Sequence, residues 1–110
     1  NANSSDAYNQ IGAIYGRGKN MYDSSIYYLK IAIAKDANNV EAYENLGVGY
    51  AMKKDFQNAL ATFRNGLQLN PDNAKLNLNL GFTYMNLGQT AEGQQYINRA
   101  YELDPALRQK

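Results

Sequence analysis

The sequence contains no cysteine, no histidine and no tryptophan, and it has only two prolines. Without cysteine the chain forms no disulfide and offers no thiolate nucleophile, so its composition fits the reducing cytoplasm and the oxidising periplasm equally. Without histidine it lacks the commonest general base and a frequent metal ligand. We therefore expect neither catalytic residues nor a metal site, and we do not expect the domain to be an enzyme.

Charge and hydropathy exclude further classes of function. Eleven Lys and Arg residues stand against ten Asp and Glu residues, with no basic run, so binding to a phosphate backbone has little electrostatic support. No apolar stretch approaches the length of a membrane span, and no signal peptide is present. We expect no nucleic acid partner and no membrane insertion. The sequence begins at Asn1 rather than Met, which indicates a piece of a longer protein.

The remaining candidates for chemistry are weak. The serines occur in no nucleophile motif, and Glu41 and Glu44 form the only close helical pair of carboxylates, for which a hydrated surface is the simpler interpretation. Residues 16–19 contain two glycines and a lysine but lack the spacing and the preceding strand of a phosphate-binding loop. We interpret them as a plain turn and expect no cofactor.

The most informative feature is an internal repeat of 34 residues. The matching pairs are Leu46 and Leu80, Gly47 and Gly81, Tyr50 and Tyr84, Leu69 and Leu103, and Pro71 and Pro105. A weaker copy lies upstream, where Tyr8, Ile11, Gly12 and Tyr15 precede their counterparts by 35 residues, so we place one extra residue within residues 16–20. A period of this length is the signature of a solenoid used for interaction.

Each unit carries two apolar segments at helical spacing. In the middle unit the first stripe runs from Tyr43 to Tyr50 and the second from Phe56 to Leu67, with a short polar turn between them. The pattern predicts helices near residues 5–17, 22–35, 40–53, 56–69, 74–87 and 90–103. Gly12, Gly47 and Gly81 recur at one point of the unit, which indicates close backbone approach there.

These residues resemble the tetratricopeptide repeat family over residues 5–105. The motif residues that match throughout one unit are Leu46, Gly47, Tyr50, Ala59, Phe63 and Pro71. The resemblance implies an all-α, right-handed α-solenoid of three helix-turn-helix repeats with six antiparallel helices. We expect a single domain over residues 1–110, with repeats at about 5–39, 40–73 and 74–107. The implied function is that of a scaffold or adaptor for protein partners.

In this family the first helix of each repeat lines a concave groove that receives a peptide from a partner protein. The corresponding positions outside the core are Asn9, Gln10, Ala13, Arg17, Glu41, Glu44, Asn45, Val48, Met52, Lys75, Leu78, Asn79, Phe82 and Met85. The asparagines are suited to hydrogen bonds with a peptide backbone, and the larger apolar residues are expected to form an adaptable floor. Leu78 and Phe82 could instead pack against an adjacent segment.

The match to one known mode of binding is incomplete. Some family members hold the C-terminal carboxylate of a ligand with two asparagines and three basic residues. Asn45 and Lys75 match that set, but Asn9, Ala13 and Asn79 replace the other three residues, so the sequence does not favour carboxylate capture.

Two alternatives stay open for the function of the domain. One is a self-associating oligomerisation module that acts through its ends or its groove, and the other is a targeting domain of a larger protein. At the C-terminal end the apolar Ile26 and Leu60 become Gln94 in the third unit, which indicates a solvent-facing end.

Overall fold

The computed structural model describes residues 3–18 and 21–109. The helices are α1 (Ser5–Arg17), α2 (Tyr22–Lys35), α3 (Val40–Met52), α4 (Phe56–Leu69), α5 (Ala74–Asn86) and α6 (Thr90–Leu103), followed by a 3-10 helix (Pro105–Gln109). The prediction of six helices is confirmed, with every boundary within one residue. Within the described ranges there is no strand, and no helix has the length and hydropathy of a membrane span.

Polar side chains fix where the helices begin. Ser4, Asn39, Asp55 and Asn73 each accept a hydrogen bond from the backbone N–H three residues later, which satisfies a donor that the first helical turn leaves free. Left-handed backbone then reverses the chain within the second and third units, at Lys54 with φ of 63° and at Gly88 with φ of 81°. The extra residue predicted within residues 16–20 falls between α1 and α2, where residues 19 and 20 lie outside the described part.

The helices pack in sequential pairs. α1 packs on α2, α3 on α4 and α5 on α6, while α2 meets α3 and α4 meets α5 across the junctions between units. The first helices also touch their neighbours, α1 with α3 and α3 with α5. Because each unit contacts only the next one, the described chain is elongated, with extents of 40 × 25 × 24 Å.

The core is built from the predicted apolar rows. Phe63, Leu76 and Leu80 are fully buried where the second and third units meet, and Leu29 is fully buried with Ile26 and Leu46 near the first junction. Burying side chains of this size stabilises the fold by about 1.5–3 kcal/mol each.

The glycine row allows close helix approach, as the repeat predicted. A Cβ atom on Gly81 would lie 2.8 Å from the carbonyl oxygen of Gly93 and 3.0 Å from the nitrogen of Ile97. The ring of Phe63 packs directly on Gly47, and Leu29 packs on Gly12. Backbone and large side chains therefore occupy the space that a methyl group would need.

Tyrosine rings pack on one another beside these glycines. Tyr15 stacks on Tyr28 with a centroid separation of 5.4 Å, and Tyr84 stacks on Tyr96 at 5.5 Å. Tyr84 is buried, whereas Tyr27 on α2 is 62% exposed. In the first and third units these aromatic rings thus serve the packing within the unit, whereas Tyr50 of the middle unit also packs on the core cluster of the first junction.

The two ends of the array differ. At the C-terminal end Gln94 is exposed, and the guanidinium of Arg108 in the 3-10 helix lies 5.6 Å from the ring centroid of Tyr101. On α1 Ile14 is 62% exposed, although the equivalent Gly49 and Thr83 are buried; a Cβ atom on Gly49 would lie 3.1 Å from Ile26 of the preceding unit. The same repeat position is therefore open in the first unit and covered in the second.

Candidate functional site

The first helices of the three units form one surface, because α1 contacts α3 and α3 contacts α5. We call this surface the first-helix face. Large apolar side chains lie exposed on it: Val48 is 41% exposed, Met52 55%, Phe82 46% and Met85 38%. Leu78, which lies on α5 with Phe82 and Met85, is half-buried. Exposed apolar side chains that share a face are typical of an interaction surface.

Asn9 does not offer a free amide on this face, in contrast to the expectation from the sequence. Its side chain is only 4% exposed, and its Nδ2 donates to Oε1 of Glu41 at 2.9 Å. Its Oδ1 accepts a hydrogen bond from Nδ2 of Asn45, also at 2.9 Å. The close approach of α1 and α3 buries Asn9, so its amide joins two units.

A second polar contact links the next pair of units. Asn73, which caps α5, donates from Nδ2 to Oε2 of Glu44 on α3 at 2.9 Å. Glu44 is half-buried, whereas Glu41 is exposed at the edge of the first network. Both carboxylates are therefore hydrogen-bonded between units, which restrains the spacing of the first helices.

The remaining polar residues of the predicted site are more accessible. Gln10, Arg17 and Lys75 are exposed, and Asn79 is half-buried. No ion pair involves Arg17 or Lys75 anywhere in the part of the chain that the structure describes. These side chains are available for contacts with another molecule.

A pocket of about 130 Å³ opens where α1, α2 and α3 meet. It is lined by Ala13, Gly16, Arg17, Tyr22, Ser25, Asn45, Val48, Gly49 and Met52. The structure thus brings together five of the residues singled out from the sequence. Lys75, Leu78, Asn79, Phe82 and Met85 lie on α5, outside this pocket.

Sequence reasoning missed four residues of the pocket. These are Gly16, Tyr22, Ser25 and Gly49. The two glycines carried a usable signal, because the units that follow have larger residues at the equivalent positions, Ala51 and Met85 for Gly16 and Thr83 for Gly49. Ser25 is buried and its hydroxyl donates to the carbonyl oxygen of Gly12 at 2.7 Å, so it forms part of the wall.

The arrangement is suited to noncovalent binding. Among residues 3–18 and 21–109 no three acidic side chains converge as a metal site would require. Lys53 has a raised pKa, chiefly because it donates a hydrogen bond to Asp23, and this pair lies on the exposed surface. The first-helix face instead combines exposed apolar side chains with amides and with Arg17 and Lys75, which form no ion pair within residues 3–18 and 21–109.

Architecture and surface together define the class: a helical-repeat array with an apolar patch along its first helices. A family model for the tetratricopeptide repeat matches residues 50–108, which is more than half of the chain. The chain belongs to the tetratricopeptide repeat family.

Individual relatives are distant. Protein O-mannosyl-transferase TMTC3 from Homo sapiens is 28% identical over 86 residues, covering 78% of this chain and 9% of that protein. The Mus musculus protein of the same name is 27% identical over the same length and share of each chain. The chain therefore spans only about a tenth of the length of the curated relatives it matches.

Solved structures agree with this fold. A crystal structure of MamA has a TM-score of 0.86 at 21% identity, covering 100% of this chain and 64% of that one. The second TPR of Spaghetti (RPAP3), bound to the HSP90 peptide SRMEEVD, has a TM-score of 0.88 at 18% identity, covering 92% and 93%. The Arabidopsis OM64 TPR domain has a TM-score of 0.90 at 20% identity, covering 94% and 84%. At these identities the likeness shows the fold alone.

Proposed function

We propose that the chain is a protein-interaction scaffold whose first-helix face binds a peptide segment of a partner protein. The observation that carries the proposal is the exposure of Val48, Met52, Phe82 and Met85 on consecutive first helices. Val48 and Phe82 stand at the same position of successive units, 34 residues apart. A segment laid across α3 and α5 would meet both side chains.

The geometry favours a preorganised surface. The hydrogen bonds from Asn9 to Glu41 and from Asn73 to Glu44 restrain neighbouring first helices, so little ordering remains to be done when a ligand binds. Gln10, Asn79 and Lys75 supply donors and acceptors around the apolar side chains. Apolar anchors with a polar surround are the usual anatomy of a peptide site.

A solved relative supports a peptide as the ligand. The second TPR of Spaghetti (RPAP3), which shares the fold over most of both chains, is bound to an HSP90 peptide in its structure. That peptide is the ligand of RPAP3; in this chain Ala13 and Asn79 replace residues of the carboxylate-binding set. We propose that the domain acts by binding alone, without a catalytic role.

The test is selection from a displayed library of linear peptides, followed by titration of the enriched peptides against variants. Phe82→Ser should weaken binding by at least about tenfold, because it removes an exposed aromatic anchor. Tyr27→Ser is the matched control, since Tyr27 is an exposed aromatic on a second helix. Equal affinity in the Phe82→Ser variant and the wild type would contradict binding at this face.

A second candidate is self-association, and one observation favours it. Ile14 is 62% exposed at a repeat position where Gly49 and Thr83 are buried. A second copy of the chain is one occupant that would cover this side chain.

A further inference from the structure

The pocket between the first two units is large enough for one side chain. Its volume is about 130 Å³, and Ala13, Val48 and Met52 contribute apolar surface to its walls. For comparison, an apolar cavity of about 150 Å³ accommodates a benzene molecule. One aliphatic side chain of a ligand would therefore fill the pocket.

Two glycines from different units line the pocket. Gly16 lies in the last turn of α1 beside Ser25, and Gly49 lies on α3 beside Ile26; a Cβ atom on either would lie 3.1 Å from the nearest atom of that neighbour. At the junction between the second and third units the equivalent positions carry Ala51 and Thr83. Larger side chains therefore stand at the equivalent positions of the second junction.

The charge beside the pocket is particular to this junction. Arg17 lines the pocket, whereas its equivalents in the later units are the uncharged Met52 and Asn86. No side chain in the described ranges forms an ion pair with Arg17. A guanidinium in this position is suited to a planar, bidentate contact with a carboxylate of a ligand.

Asn45 adds a hydrogen-bonding group to the same pocket. Its Nδ2 donates to Asn9, but its Oδ1 accepts no hydrogen bond within residues 3–18 and 21–109. This oxygen can accept a backbone N–H of an extended ligand. Because the Asn9–Glu41 hydrogen bond holds Asn9, Asn45 is anchored before the ligand arrives.

We propose that this pocket selects an aliphatic residue next to an Asp or Glu within an extended peptide. The aliphatic side chain enters the pocket, the neighbouring carboxylate pairs with Arg17, and the peptide backbone donates to Oδ1 of Asn45. Among the described lining residues Arg17 supplies the positive charge, and we assign a side-chain carboxylate of the ligand as its partner. The proposal rests on peptide binding at the first-helix face and states which sequence that face prefers.

The test uses a positional-scanning library of nonapeptides that are acetylated at the N-terminus and amidated at the C-terminus. Wild type should enrich Leu, Ile or Met beside Asp or Glu. Arg17→Gln should reduce the preference for Glu over Gln from about tenfold to about onefold and should keep the aliphatic preference. Ala13→Leu, which narrows the pocket, should remove the aliphatic preference; larger residues at the equivalent Val48 and Phe82 show that the fold accepts them.

Lys75→Gln is the matched control, because it removes an exposed cation of the same face outside the pocket. It should leave both preferences unchanged. Enriched peptides that depend on Phe82 but not on Arg17 or Ala13 would overturn this inference while leaving the proposed function intact. A second library that differs only in its free C-terminal carboxylate is screened in parallel, and binding to that library alone would also overturn the inference. No enrichment from either library by the wild type would count against peptide binding as a whole.

Discussion

The amide of Asn45 donates a hydrogen bond of 2.9 Å to Oδ1 of Asn9, and this bond joins the first helices of two consecutive units. Asn9 in turn donates to Glu41, so the buried amide of Asn9 both donates and accepts a hydrogen bond with residues of the second unit. The third unit has Leu78 at the position of Asn9, which shows that the fold does not require a polar residue there. The network belongs to the first junction, next to the pocket that Asn45 lines.

We expect Asn9→Ala to lower the free energy of unfolding by about 0.5–1.5 kcal/mol, because Asn45 and Glu41 would lose their shared hydrogen-bond partner, although the exposed Glu41 and the half-buried Asn45 can bond to water instead. Urea denaturation followed by circular dichroism measures the change. Gln10→Ala is the control, since Gln10 is the exposed neighbour on the same helix. A loss no larger in Asn9→Ala than in the control would mean that the network adds nothing to stability.

We expect Gly81→Ala to destabilise the third unit by about 1–3 kcal/mol, although alanine favours helices over glycine by about 1 kcal/mol. The new methyl group would meet backbone atoms, the oxygen of Gly93 at 2.8 Å and the nitrogen of Ile97 at 3.0 Å, which cannot rotate away. Thermal unfolding gives the measurement. Gly18→Ala should change stability little, because its nearest neighbour would be 3.4 Å away; equal effects at both sites would contradict the packing argument.

Lys54 and Gly88 occupy the same left-handed position in successive turns, with φ of 63° and 81°. We expect Lys54→Gly to raise the free energy of unfolding by about 0.5–1 kcal/mol, because glycine removes steric strain from that conformation at some entropic cost in the unfolded chain. Gly88→Ala should lower it by a similar amount, since no atom lies within 4 Å of the added methyl and only the backbone strain acts. Denaturant unfolding of both variants tests whether the two changes in the free energy of unfolding have opposite signs. Two changes of the same sign would show that strain does not govern these turns.

Asp23 raises the pKa of Lys53 above the ordinary value of 10.5 through a hydrogen bond and charge attraction, and Asp55 adds a smaller attraction. A raised pKa means that the charged pair stabilises the fold below the unfolded pKa, and that this contribution is lost as the pH rises through the folded pKa. NMR titration of the Lys53 side chain should show a larger fall in pKa in Asp23→Asn than in Asp55→Asn. The reverse order would contradict the assignment of Asp23 as the main partner.

Light scattering over a wide range of protein concentration separates the two candidate functions. If a second copy covers the N-terminal end, the mass should rise with concentration, and Ile14→Ser should abolish the rise while Phe82→Ser preserves it. A constant monomer mass would remove the self-association candidate. An association abolished by Phe82→Ser would instead place a second copy on the first-helix face and would weaken the case for a peptide partner.

The residue pattern predicted the helices, their boundaries and the repeat. Leu46 and Leu80, Gly47 and Gly81, and the stripes around them repeat in register, so local periodicity was sufficient to predict two helices per unit. The resemblance to the tetratricopeptide repeat family supplied the solenoid, in which each unit packs only on its neighbours. The Leu76, Leu78 and Leu80 alternation resembles a strand in isolation, yet α5 is helical because the unit packs as a whole.

Packing between neighbouring units settles which of the predicted site residues are accessible. Asn9 is buried because its side chain is hydrogen-bonded to Glu41 and Asn45 between α1 and α3, and the pocket is lined by residues from two units. Each of these properties depends on contacts between side chains of neighbouring units, and the residue pattern within one unit does not specify those contacts.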